Sequence, residues 1–178
     1  MIKSNDFLIR EAYTSEFVSI GRLMVDVYSG LKGFPSPAEQ PGYYEKLANA
    51  GDLTQKPGTT LLAAFSITNK LLGAVVYFSD MKYYGSGGTA TKEKDAAGFR
   101  LLAVSTKARG KGLGRALTTA CIQKARMQKR SQLIIHTTEV MKTAWNMYES
   151  LGFKRSKDLD FVWDTLPVLG FRLNIEQS

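Results

Sequence analysis

The chain has 178 residues, 44% of them hydrophobic and 22% charged, a composition that supports a buried core and excludes an intrinsically disordered chain. No apolar run approaches the ~18 residues of a membrane span, and the opening Met1-Ile2-Lys3-Ser4-Asn5-Asp6 leads into no signal-type apolar region, so a cytoplasmic protein is expected. A single cysteine, Cys121, excludes a disulfide framework, and its place among apolar helical positions marks it as a small core residue rather than a nucleophile.

In chain order, Phe7 to Glu11 reads as a strand and Ser15 to Tyr28 as a helix with Phe17, Ile20, Met24 and Val27 on one apolar stripe. The stretch from Gly30 to Gly42 holds three prolines and is irregular, and a short helix is expected from Tyr43 to Ala50, ended by Gly51. Leu61 to Ile67 and Leu72 to Phe78 are β-rich runs joined by Thr68-Asn69-Lys70-Leu71, which predicts a hairpin. A polar loop from Ser79 to Ala97 precedes a central strand from Gly98 to Val104. Leu113 to Gln128 follows as a helix with Leu113, Leu117, Ala120 and Cys121 inward. Leu133 to Thr137 is a buried strand, Met141 to Leu151 a helix stopped by Gly152, and Phe153 restarts extended structure. Asp160 to Asp164 and Phe171 to Ile175 are the final strands, placed around Pro167 and Gly170. No repeat or linker interrupts this order, so one α/β domain spanning residues 1–178, a mixed sheet flanked by helices, is the expected architecture.

The formal charge of +8 is carried by the second half: residues 1–90 hold eight basic and eight acidic side chains, residues 91–178 sixteen and eight. From Arg100 to Arg130 there are nine Lys or Arg and no Asp or Glu, a field that attracts anions. Lys124, Arg126, Lys129 and Arg130 complement a helix C-terminus, but Arg109, Lys111 and Arg115 surround a helix N-terminus, where the dipole disfavours cations. They belong to Arg109-Gly110-Lys111-Gly112-Leu113-Gly114-Arg115, which reads as an anion cradle of glycine-freed backbone N–H groups opening into a helix. The other reading is a solvated glycine turn whose cations are screened by water. A P-loop is excluded because no window ends in Gly-Lys-Ser/Thr after the required glycine, and a dinucleotide fingerprint fails because Arg115 stands three beyond Gly112. Gly85-Ser86-Gly87-Gly88-Thr89-Ala90 opens no apolar helix and reads as a flexible loop.

These residues resemble the GNAT superfamily of N-acetyltransferases. The strand Leu101-Leu102-Ala103-Val104 followed by Arg109-Gly110-Lys111-Gly112-Leu113-Gly114 matches that family's Arg/Gln-x-x-Gly-x-Gly/Ala cofactor motif at the start of a helix. Downstream, Tyr148-Glu149-Ser150-Leu151-Gly152-Phe153 matches its pattern of tyrosine, three residues, then Gly-Phe. The resemblance implies a mostly antiparallel sheet with a splayed parallel pair and acetyl-CoA as cofactor. It also implies that the backbone of residues 109–114 holds the pyrophosphate, with Arg109, Lys111 and Arg115 as further contacts. By the same resemblance, the backbone of Leu102, Ala103 and Val104 pairs with the pantetheine arm.

The implied chemistry is attack by a neutral amine on a thioester, and the resemblance places Tyr148 as the acid that protonates the departing thiolate. Its helical spacing with Ala144 and Leu151 equally suits a core tyrosine. Glu139 and Asp80 are conceivable bases but read first as solvated loop carboxylates, and no base is named. No His/Cys cluster has metal-ligand spacing, so no metal is expected, and the lone His136 reads as a packed or hydrogen-bonded strand residue. Tyr28, Phe34, Tyr43, Tyr44, Tyr83, Tyr84, Phe161 and Trp163 could line an acceptor pocket or simply pack. A small-molecule primary amine is the leading acceptor. A protein amine or aminoacyl-tRNA, and a non-catalytic acyl-CoA-binding module, are the competing readings; no direct DNA-reading motif is found. Monomer and homodimer are both left open.

Overall fold

The computed structural model describes residues 2–3 and 6–175. Met1, Ser4 and Asn5, part of the opening stretch read for a signal, lie outside the described residues. The class is α/β, with a mixed sheet that holds antiparallel pairs and a parallel pair, flanked by helices. The chain divides into two compact units, Met1–Val76 with Leu101–Ala120, and Tyr77–Arg100 with Cys121–Ser178.

The first unit begins with strands β1 (Ile2–Lys3) and β2 (Phe7–Glu11), followed by helices α1 (Phe17–Ser29) and α2 (Pro41–Ala48). Strand β3 (Thr59–Ser66), the first part of β4 (Leu71–Phe78), the last part of β5 (Ala96–Val104) and the start of α3 (Leu113–Met127) complete it. Strands β1 to β5 are neighbours in chain order; β2 runs antiparallel to β3 from Phe7↔Ser66 to Glu11↔Leu62. The hairpin between β3 and β4 closes as predicted, with Asn69 left-handed (φ 63°) and Ser66 N donating to Lys70 O at 2.8 Å. Asn tolerates this conformation because its short amide can bond locally. The stripe of α1 is Ile20, Gly21, Met24, Val27 and Tyr28, all buried. Gly21 is required by close approach, since a Cβ there would collide with the Ala48 carbonyl of α2. The expected stop at Gly51 is displaced: α2 ends at Ala48, and Gly51 lies inside a 3-10 turn from Ala50 to Gln55, where a side chain would strike the Phe17 ring. Packing, not helix termination, selects that glycine.

The second unit holds the rest of β4 and β5, the end of α3, β6 (Gln132–Thr137), α4 (Lys142–Ser150), β7 (Lys154–Arg155), β8 (Phe161–Trp163) and β9 (Leu166–Asn174). β6 pairs antiparallel with β9 over six residues, Gln132↔Asn174 to Thr137↔Leu169, and β7 and β8 also pair with β9. β5 and β6 are parallel, but their pairing covers only Ala96–Gly98 against Gln132–Ile134, and both strands run on beyond it. That is the splayed parallel pair. The last strand is longer than Phe171 to Ile175 and contains Pro167 and Gly170 rather than being set around them. Gly170 serves close packing: a Cβ there would strike Leu159, while its N–H donates to Asp160 Oδ1 at 2.8 Å and its carbonyl accepts from Arg155 at 2.7 Å. Among the described residues no helix is long and apolar enough to cross a membrane.

Candidate functional site

The glycine run of the first unit has the geometry of an anion cradle. Gly110 (φ 78°) and Gly112 (φ 77°) are both left-handed, a conformation that a Cβ penalises, yet a Cβ at either would meet nothing within 4 Å. The glycines are therefore needed for backbone direction, and the space beside them is open. Among the described residues the N–H groups of residues 109–114 find no backbone acceptor; the first helical bond of α3 runs from Ala116 N to Gly112 O at 3.0 Å. Arg109, Gly110, Lys111, Gly112 and Arg115 are exposed, whereas Leu113 and Ala108 are buried and anchor the loop. One turn further along α3, buried Thr118 donates its hydroxyl back to Gly114 O at 2.8 Å. Unpaired donors at a helix N-terminus, ringed by cations, suit a polyanion.

The strand that feeds this loop carries an irregularity the sequence reading missed. Leu101 is left-handed (φ 60°) within β5, a conformation costing a leucine about 1–2 kcal/mol. Beyond it, Ser105 N donates to Leu72 O of β4 at 2.8 Å, so residue 105 turns its N–H toward β4, and the alternation of a strand turns Leu102 and Val104 toward the opposite edge. On that edge the Leu102 carbonyl accepts the Tyr28 hydroxyl at 3.1 Å. Tyr28, Phe34 and Tyr43 form a ring cluster, with centroids 5.6, 6.2 and 5.8 Å apart, and Tyr44 joins through Tyr43 at 5.7 Å. The Tyr44 hydroxyl donates to Pro35 O at 2.7 Å, so that residue is packing.

In the second unit, the end of α4 explains why tyrosine and Gly-Phe stand at their spacing. Gly152 (φ 97°) is the left-handed residue after the helix, its N–H donates to Glu149 O at 3.0 Å, and Phe153 N donates to Tyr148 O at 3.1 Å. These are the two bonds of a Schellman stop, which brings the residue after the glycine onto the residue five before it. The Tyr148 and Phe153 rings accordingly meet at 5.7 Å, and Phe99 of β5 covers Tyr148 at 5.9 Å. Tyr148 is only 5% exposed, and among the described residues its hydroxyl makes no hydrogen bond. Burial pushes that hydroxyl well above its ordinary value, with the weak acids Cys121 and Tyr84 adding to the shift. It is neutral throughout the physiological range.

His136 is a hydrogen-bonded strand residue, as expected. Its Nε2 lies 2.8 Å from Leu159 O, which can only accept, so Nε2 carries the proton and Nδ1 accepts from the Tyr84 hydroxyl at 2.9 Å. Burial lowers its pKa below the ordinary value of 6.5. Tyr84 is consequently wholly buried and does not line a pocket, and Phe161 packs on His136 at 5.1 Å. The Gly85–Ala90 stretch is shaped by that ring, since a Cβ on Gly87 would stand 2.8 Å from Phe161. Cys121 is buried, and burial raises its thiol above its ordinary value. Asp80 caps a short turn by accepting Lys82 N at 2.9 Å, and Glu139 is exposed at the start of another. Among the described residues no three of His, Cys, Asp and Glu gather where they could hold a metal ion.

A family profile described as an acetyltransferase (GNAT) domain matches residues 61–174, and the chain belongs to that family. It is 36% identical over 66 residues to human N-acetyltransferase 8B, a match covering 36% of this chain and 29% of that protein. The chain spans about a fifth to a third of the length of the curated relatives it matches. Its fold is similar to that of a GNAT-family acetyltransferase from Staphylococcus aureus Mu50 (TM-score 0.73, 14% identity, 96% of this chain and 99% of the other). It is also similar to YncA, a putative acetyltransferase of Salmonella typhimurium solved with its cofactor acetyl-CoA (TM-score 0.67, 15% identity, 98% and 96%). At these identities the structural matches speak for the fold.

Proposed function

We propose that the protein is an acetyl-CoA-dependent N-acetyltransferase that acetylates a primary amine of a small molecule by direct attack on the thioester. The observation that carries this reading is the cradle, where left-handed Gly110 and Gly112 free consecutive N–H groups beside open space. Such a cradle fits a pyrophosphate. The backbone of Arg109, Gly110, Lys111, Gly112, Leu113 and Gly114 would hold it, Arg109, Lys111 and Arg115 would neutralise its charge, and Leu102, Ala103 and Val104 would receive the pantetheine arm. When bound, acetyl-CoA supplies the acetyl group as an activated thioester.

Tyr148 is assigned the role of donor to the departing sulfur. Its raised pKa keeps the proton on the oxygen, which favours hydrogen-bond donation to developing negative charge over complete transfer. The rings of Phe99 and Phe153 keep the hydroxyl-bearing ring from turning. Asp80 and Glu139 are not assigned a role in removing the amine proton; ordered water serves that step. Among the aromatic candidates, half-buried Phe34 and Tyr43 are the ones proposed to meet the acceptor.

The test is CoA release from acetyl-CoA across amines, polyamines, amino acids, aminoglycosides and peptides. Release with at least one small amine is expected. Release with peptides or aminoacyl-tRNA alone would move the acceptor to a macromolecule, and calorimetric binding with no release would reduce the protein to an acyl-CoA-binding module.

A further inference from the structure

We infer that Tyr28 is a positioning residue whose hydroxyl fixes the free backbone edge of β5 at Leu102, the edge proposed to receive the pantetheine arm. The inference rests on the acetyl-CoA reading above. Leu101, immediately before, holds a left-handed conformation that a leucine adopts only under restraint. The next carbonyl along the chain, that of Leu102, accepts the Tyr28 hydroxyl at 3.1 Å. On the β4 side the strand is already held, by Ser105 N to Leu72 O at 2.8 Å and by the approach of Ala103 O to within 2.9 Å of where a Cβ on Gly73 would stand. Tyr28 therefore supplies a restraint on the other edge, where strand alternation turns the polar groups of Leu102 and Val104.

The strut is stiff. Tyr28 is 7% exposed and its ring is packed against Phe34 at 5.6 Å and Tyr43 at 6.2 Å. Since a carbonyl has two lone pairs, the bond from Tyr28 leaves one for a ligand, and by fixing the peptide plane between Leu102 and Ala103 it restrains the two flanking planes, which carry the Leu102 and Val104 N–H groups. Loss of the hydroxyl alone would let that plane rock about the strained Leu101 while leaving the ring cluster intact.

Tyr28→Phe tests this because it deletes one oxygen from a packed ring. Calorimetry with two probes separates positioning from general loosening: acetyl-CoA, and 3′-phospho-ADP, which carries the pyrophosphate but no pantetheine arm. The variant is expected to bind acetyl-CoA about fivefold more weakly, the effect of one lost hydrogen bond, with KM for acetyl-CoA rising in step and affinity for 3′-phospho-ADP unchanged. Equal affinity of variant and wild type for acetyl-CoA, or an equal loss for both probes, would overturn it. A second measurement needs no variant: amide exchange at Leu102 and Val104 in the wild type should slow on acetyl-CoA binding, and unchanged exchange would also overturn the proposal. Failure of the wild type to bind acetyl-CoA at all would remove the underlying reading, and this one with it.

Discussion

In the cradle at residues 109–114 the groups proposed to meet a ligand are backbone amides, without a backbone acceptor among the described residues, and the side chains matter mainly by being absent at Gly110 and Gly112. At Tyr148 the proposed donor is one side-chain hydroxyl, on a buried ring whose place is set by a helix stop and two aromatic neighbours. The two regions therefore respond to different substitutions. A backbone site tolerates side-chain changes that preserve its dihedral angles, whereas a side-chain site can lose its function through one atom while its fold is untouched.

The largest expected effect tests the side-chain half of that contrast. Tyr148→Phe should lower turnover about 100-fold, the scale for removing one hydrogen-bond donor to developing negative charge, and leave acetyl-CoA affinity unchanged, as read by steady-state kinetics beside calorimetry. A fully active variant would return Tyr148 to the core. The backbone half is tested by Gly112→Val, which forces a β-branched residue to φ near 77° in space that is otherwise open. Acetyl-CoA affinity should fall about tenfold through strain alone. Lys111→Gln, which removes an exposed charge but no backbone constraint, should cost only about threefold and lose that effect in high salt. If Lys111→Gln proves the more damaging, the cradle works by charge rather than by amides.

The smallest effect concerns stability and lies in the second unit. His136 is buried neutral with its pKa lowered, so the unfolded chain binds a proton there more readily than the folded one. Its contribution to stability is full above about pH 6.5 and is lost as the pH falls toward the folded-state value. The charged and titratable groups around it are Tyr84, Arg100 and Asp160. Urea unfolding followed between pH 7.5 and 5 should show this slope, and His136→Gln should flatten it. Carboxylates held low by arginines, such as Glu16 bonded to Arg10 and Asp158 bonded to Arg172, add their losses only at more acidic pH.

Most strands and helices were legible because their signals are local: the 3.6-residue stripe of α1, the Asn69 turn, and the glycine stops. Legibility failed where a glycine answered to packing. Gly51 and Gly170 look like punctuation in the sequence, yet each sits inside an element because a side chain from another element, Phe17 or Leu159, fills the space a Cβ would need. The cradle was readable for the opposite reason, since Gly110 and Gly112 answer to dihedral angles alone. The Tyr148 to Phe153 pattern was readable as well, although its spacing has a structural cause in the Schellman stop that would hold without any chemistry.

The element order, the one-signed charge between Arg100 and Arg130, and the spacing of Gly110 and Gly112 follow from residues close in the chain and can be read from them directly. The left-handed Leu101, the Tyr28 hydroxyl on Leu102, and the tautomer of His136 between Tyr84 and Leu159 are set by the folded chain as a whole. Those last two are hydrogen bonds between residues far apart in the chain, and no local periodicity encodes which partner a buried polar group will find. The strain at Leu101 belongs with them, for a leucine enters the left-handed region only where the surrounding fold holds it there.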